Sequence, residues 1–228
     1  MEYTIQRAQQ PLGKPSAGWD AELWSAADIL EVAHYRWEDS GHHPPTQARI
    51  LYDDEHLAVI FRVEDHYVRA VAENFGDPVS NDSCVEFFVS PFLTSTATDA
   101  YFNFEFNCGG TMLLRRCSST VEREWGRLNP MLAESDASVV SVAASMPRIV
   151  EPEIAKPTTW SLEFHVPLSL FQQYFVECPP PREGTEWKGN LYKCGGDTSH
   201  PHWGSWAPIT AKSPSFHEPA FFQALRFA

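Results

Sequence analysis

Apolar and polar residues alternate with a period of two along several runs of this chain. Leu57, Val59, Phe61 and Val63 point one way, and Ala58, Ile60, Arg62 and Glu64 the other. Val85, Phe87 and Val89 oppose Cys84, Glu86 and Phe88. Phe102, Phe104 and Phe106 oppose Tyr101, Asn103, Glu105 and Asn107. Trp160, Leu162, Phe164 and Val166 oppose Ser161, Glu163 and His165. Strict alternation predicts strands with one face in a core and the other polar. Asp53-Asp54-Glu55 reads as a hairpin turn, and Pro91 stops the strand over 84–90. Helical signal is sparse. It amounts to a turn or short helix over Ala21–Glu31, and a short helix over Pro167–Tyr174 with proline in its first turn. Residues 118–158 are the hardest to assign, with a weak strand over Ser138–Ala144 and a loop over Pro147–Pro157. The 18 prolines fall at the ends of apolar runs, the punctuation of a β-rich fold. The sum is an all-β, two-sheet antiparallel β-sandwich with short helical segments, forming a single domain over residues 1–228.

Two features carry candidate chemistry. The first is Gly189–Trp206, where Trp203 and Trp206 sit beside His200, His202, Asp197 and Lys193 in a run broken by Gly and Pro. It reads as a loop. Its tryptophans either cover one end of the core or offer a flat face to a ligand. An indole beside hydrogen-bonding groups suits a sugar, which is apolar on its C–H face and polar at its edge. The second is the polar strand faces. If neighbouring strands align, Arg62, Glu86, Asn103, Glu105, Glu163 and His165 share one surface. Carboxylates, amides and a guanidinium accept and donate in fixed directions and can grip vicinal hydroxyls. The alternative is a solvated face with ion pairs of little worth.

The net charge of −13 argues against nucleic acid and anionic membranes as partners. No apolar run approaches the roughly 20 residues of a membrane span. The first residues show no secretory leader, so the expected setting is cytoplasmic if the chain is complete. Five cysteines without Cys-x-x-Cys spacing read as reduced thiols, with one or two disulfides in a secreted setting as the alternative. His42-His43, His200, His202 and His217 show no recognised metal-ligand spacing and read as structural. Asp53, Asp54, Asp65, Asn81 and Asp82 lie near loop ends, where clustered oxygens hold calcium in other proteins. No nucleophile elbow, P-loop or dinucleotide fingerprint is present. Glu86, Glu105 and Glu163 leave a small glycoside-active enzyme open as an alternative, because hydrolysis needs two carboxyl groups. A sandwich that holds a protein partner is another alternative.

Several segments together resemble carbohydrate-binding family 9 modules. They are Asp53-Asp54-Glu55-His56-Leu57, Phe61-Arg62-Val63-Glu64-Asp65, and Asn81-Asp82-Ser83-Cys84-Val85-Glu86-Phe87-Phe88-Val89. Tyr101–Asn107, Trp160–Glu163 with Pro167, Ser205-Trp206 and Phe221-Phe222 complete the set. The resemblance runs from about residue 19 to the C-terminus. It implies a jelly-roll-like sandwich, non-catalytic binding of a mono- or oligosaccharide, and often a structural calcium. It also implies a sugar held between two tryptophans and gripped by polar groups of the sheet. Trp206 matches the C-terminal clamp residue and Glu86 the gripping residue. The other clamp tryptophan usually precedes the Asp-Ser-x-Val-Glu motif. Here Pro78-Val79-Ser80 stands in its place, with Phe75, Trp203 and Trp37 as substitutes. The expected sugar contacts are therefore Trp206, Trp203, Glu86, Arg62, Asn103, Glu105, Glu163 and His202.

Overall fold

The alternating runs form strands close to where the pattern puts them. The computed structural model describes residues 1–37, 39–91, 100–118, 130–175, 178–212 and 214–228. Its strands are β1 (Glu2–Arg7), β2 (Leu30–Val32), β3 (Thr46–Tyr52), β4 (His56–Asp65), β5 (Val68–Ala70), β6 (Cys84–Ser90) and β7 (Ala100–Asn107). They continue with β8 (Met112–Ser118), β9 (Ser141–Ala144), β10 (Val150–Ile154), β11 (Thr158–Pro167), β12 (Glu186–Cys194), β13 (Trp203–Ser205) and β14 (Gln223–Phe227). Two short helices are described, α1 (Glu134–Ala137) and α2 (Leu168–Tyr174). Among the described residues, no helix is long and apolar enough to cross a membrane.

Twelve strands join one sheet in the order β8-β7-β6-β12-β14-β1-β3-β4-β11-β9, with β13 on β12 and β2 on β3. β5 and β10 form a small second sheet. The large sheet is mixed where an antiparallel one was expected. Strand β1 is the reason. Its first residues run parallel to β14 and its last two run parallel to β3. It thereby hands the sheet from one half to the other. The sheet curls, so that Phe104 and Phe106 of β7 reach Phe164 of β11, with ring centroids 5.9 and 4.5 Å apart. The inward residues of both halves share one core, including Val59, Phe61, Phe87, Phe104, Trp160, Leu162, Trp187 and Leu225. Burying this much aromatic and aliphatic surface is the main driving force of the fold, at about 1.5–3 kcal/mol per large apolar side chain.

The predicted short helix over Pro167–Tyr174 forms as α2, directly after β11 ends at Pro167. The turn in Ala21–Glu31 is a single 3-10 segment over Glu22–Ala26. The weak strand signal near Ser138 is β9, which pairs with β11. Residues 119–129 of the stretch that resisted assignment lie outside the described residues. Two loop expectations also fail. The loop expected over Pro147–Pro157 contains β10, which pairs with β5. The loop expected over Gly189–Trp206 shrinks to 195–202, because β12 and β13 take both of its ends. Gly189 lies within β12 for a steric reason. A Cβ there would stand 2.7 Å from the Phe88 carbonyl oxygen and 2.8 Å from Leu225 Cδ1. The glycine marks a close approach.

Candidate functional site

The outward residues of β6, β7 and β12 stand side by side. Register pairs Glu86 with Glu105 on one side and with Tyr192 on the other. The chain after β13 folds back over this face and builds a second apolar cluster on it. Phe216 stacks on Tyr192 at 4.2 Å and 12°, and Phe222 meets Tyr101 edge-on at 5.2 Å. Trp37 Nε1 donates to the Ala211 carbonyl at 3.1 Å and holds the returning chain down. His217 Nδ1 lies 2.8 Å from Tyr101 Oη. The cover leaves a cavity of about 220 Å³. Glu86, Glu105, Cys194 and, on β13, Trp203 line it from the sheet, and Phe216 and His217 line it from the covering chain.

The carboxyl groups in this cavity are unusual. Both are nearly buried. Burial raises Glu86 well above the ordinary carboxylate range, and the neighbouring Cys194 and Glu105 raise it further. Burial pushes Glu105 up to about 7, against the pull of Arg115. Cys194 Sγ donates to Glu86 Oε1 at 3.1 Å. Asn103 Nδ2 donates to Glu105 Oε1 at 2.6 Å, and Asn103 Oδ1 accepts the Arg115 backbone N–H at 2.9 Å. The upward shift favours the protonated form of Glu86, in which a carboxyl group can donate as well as accept. Burial, reinforced by Arg115, lowers His217 to about 4, so its ring is neutral. The floor and wall thus present both hydrogen-bond donors and acceptors, which suits a polar ligand.

The remaining expected contacts lie elsewhere. Arg62 and Glu163 belong to β4 and β11, in the other half of the sheet. Arg62 pairs with Glu64 at 2.9 Å. Glu163 Oε2 accepts the backbone N–H groups of Ser16 and Ala17 at 3.0 and 2.9 Å, and His165 Nε2 lies 2.8 Å from Oε1. Burial would raise its pKa, but these partners outweigh burial and lower it. The N-terminal segment therefore lies over this half, with Trp19, Trp24 and Leu12 packed against the outward Ala58 and Ile60. Trp206, the expected clamp residue, is 5% exposed and packs edge-on to Tyr3 in the main core. His202 is buried. Its Nε2 faces Lys193 Nζ at 2.7 Å and its Nδ1 faces the His200 carbonyl at 2.8 Å. Burial and the Lys193 ammonium lower its pKa to about 3. It is thus a neutral acceptor that holds Lys193, whose Nζ lies 3.4 Å from Asp65 Oδ2. Of the eight expected contacts, Glu86, Glu105 and Trp203 meet in the cavity, and Asn103 orients Glu105 from beside it.

The sequence reading did not single out Phe216 as a wall of this cavity. It lies in a stretch without alternation, and the only cue was an aromatic residue after Pro214. The carboxylates expected to gather calcium do not converge on a cation. Asp53 accepts from Leu12, Glu55 and His56 backbone N–H groups. Asp82 accepts from Val71, Ala72 and the Asn107 side chain. Asp65 faces His42 and Lys193. Asp54 pairs with Arg7 at the surface. These oxygens are occupied by protein donors and do not fit a calcium cage, which takes six to eight oxygen ligands.

The chain is thus a curled β-sheet with a partly roofed polar cavity on one outer face. Residues 23–227 match the family model of Carbohydrate-binding family 9, and the chain belongs to that family. Among solved structures it is similar to a candidate carbohydrate-binding protein from Bacteroides uniformis ATCC 8492. That likeness has 29% identity and a TM-score of 0.85, covering 100% of this chain and 99% of the other. It also shares its fold with a family 9 carbohydrate-binding module from Caldicellulosiruptor kristjanssonii. The glucose complex of that module gives 10% identity and a TM-score of 0.62, covering 100% of this chain and 96% of the other. Its cellotriose complex gives 10% identity and a TM-score of 0.63, with 100% and 93% coverage. No curated protein matches the sequence.

Proposed function

We propose that this chain is a non-catalytic carbohydrate-binding protein whose sugar sits in the Glu86–Glu105 cavity. The observation that carries this reading is a pair of buried carboxyl groups, both pushed above the ordinary carboxylate range, beneath an aromatic wall, in a chain of this family. Trp203, half-buried at the cavity, supplies the aromatic face, the role expected of Trp206. Glu86 and Glu105 grip ring hydroxyls, with Asn103 setting the direction of Glu105. The cavity is smaller than the roughly 300–1,000 Å³ of drug-sized pockets, so it takes one sugar ring or the end of a chain. On this reading the curled sheet is a two-layer sandwich of jelly-roll type, and the parallel strand β1 is its seam.

Calorimetric titration with glucose, cellotriose and a panel of other mono- and oligosaccharides tests the proposal. Wild type is expected to give saturable heat with at least one of them. Trp203→Ala, whose side chain stands at the cavity and not in the core, is expected to abolish that heat while keeping the fold. Heat that survives both Trp203→Ala and Glu86→Gln would move the site off this face. No heat with any sugar would leave the family membership as a matter of fold.

A further inference from the structure

Cys84 and Cys194 are directly opposed across β6 and β12. Glu86 is the next outward residue on β6, two positions on from Cys84. One ligand atom from each of Cys84, Glu86 and Cys194 lies within 4.8 Å of the other two. All three side chains are buried. Packing alone does not account for the set. Two small apolar residues would fill the thiol positions equally well, whereas a buried carboxyl beside them costs desolvation.

Two sulfurs and one carboxylate oxygen are a donor set for a borderline-soft divalent ion held by three protein ligands, with a fourth position left for another molecule. They are a poor set for calcium or magnesium, which take oxygen ligands. Cys194 and Glu86 also line the cavity. The open side of the triad therefore has the entry path and the room that an exchangeable fourth ligand needs.

We propose that Cys84, Cys194 and Glu86 form a three-ligand site for a thiophilic divalent cation of the zinc class, with the fourth coordination position facing the cavity. Binding displaces the two thiol protons, and any proton held by the carboxyl group, to solvent. Nothing is oxidised or reduced. The site shares Glu86 and the cavity with the proposed sugar site but does not rest on it, since the metal is bound without sugar present.

The test is a titration of the metal-free, reduced full chain with cobalt(II), followed by zinc(II), with no sugar in the cell. The expected result is thiolate-to-cobalt charge transfer and intense visible bands that saturate at one equivalent and are bleached by zinc. Cys84→Ser and Cys194→Ser are each expected to weaken binding at least about tenfold, since even outer-shell partners of metal sites are worth 10–100-fold. Cys178→Ser is expected to leave cobalt binding unchanged, because that thiol packs in the main core, away from the triad. Glu86→Gln keeps both sulfurs and tests the carboxylate even if a cysteine variant fails to fold. It is expected to lower affinity and shift the visible bands. A wild type without charge-transfer bands at stoichiometric metal would overturn the site. So would bands that persist in the Cys84→Ser/Cys194→Ser double variant, or that are indifferent to Glu86→Gln.

Discussion

The two halves of the curled sheet carry the same kind of sequence on their outer faces and use it differently. On β11, Glu163 alternates with core residues, as Glu86 and Glu105 do on β6 and β7. Glu163 meets two backbone N–H groups of the N-terminal segment and the His165 ring. It is held below the ordinary carboxylate range despite its burial. Glu86 meets a thiol, which is a weak donor, and Glu105 an amide, and both are pushed upward. One half has spent its carboxylate on holding a loop. The other keeps carboxyl groups at an opening. An outward glutamate thus becomes a clamp or a ligand contact according to which donors the rest of the chain brings to it.

The largest expected effect is on the clamped half. Glu163→Ala leaves the Ser16 and Ala17 backbone donors and His165 without their carboxylate. It should destabilise the protein by about 3 kcal/mol, the upper end of the cost of unpaired buried groups. Urea unfolding measures this. Sugar titration of the same variant should be unchanged, because the cavity lies on the other half. Lost sugar binding in a folded Glu163→Ala protein would erase the division between the halves.

A second effect separates the halves by pH. Glu105 has an ordinary pKa of 4.5 and is raised to about 7 in the fold. Between those values the unfolded chain has released a proton that the folded chain keeps. Stability from this group is therefore full below about pH 4.5 and is lost as pH rises through 7, by at most about 3 kcal/mol. Glu86 shifts in the same direction. Glu163 has the opposite sign. Its contribution is present above pH 4.5 and is lost as pH falls through its lowered value. His202 and His217, lowered from 6.5 to about 3 and about 4, also lose stability on acidification below 6.5. They mask Glu105 in wild type but cancel in a difference curve. Wild type minus Glu105→Gln should therefore slope downward from about pH 5 to about pH 8. A flat difference would mean that Glu105 ionises in the fold as it does in water.

Much of the fold was legible because alternation is a local signal. The runs around 57–64, 84–89, 101–107 and 160–166 became β4, β6, β7 and β11. The half-assignment of the glutamates was not legible, because register and strand order depend on contacts between distant segments. Glu163 differs from Glu86 through Ser16 and Ala17, about 146 residues away in sequence. The two tryptophans carry a further local signal. Trp203 and Trp206 are three apart, and in an extended chain an odd separation puts side chains on opposite faces. Trp203 in β13 is half-buried, and Trp206, in the bend just past it, is buried. Glycine masked it, since Gly189 and Gly204 read as loop residues. Gly204 sits in β13 because a Cβ there would stand 2.6 Å from the Tyr35 ring.

The smallest expected effect concerns Arg62, which was grouped with Glu86 and Glu105 when only alternation was available. The structure places it on β4, paired with Glu64 and partly open to solvent. An ion pair of that exposure is worth about 0–1 kcal/mol, so Arg62→Ala should move the unfolding midpoint hardly at all. It should also leave sugar affinity unchanged, whereas Trp203→Ala removes it. Because neither fold nor cavity depends on Arg62, any loss of binding in Arg62→Ala would be direct evidence of a second contact surface on the β4–β11 half. The contrast drawn between the two faces would then have to give way to a ligand long enough to touch both.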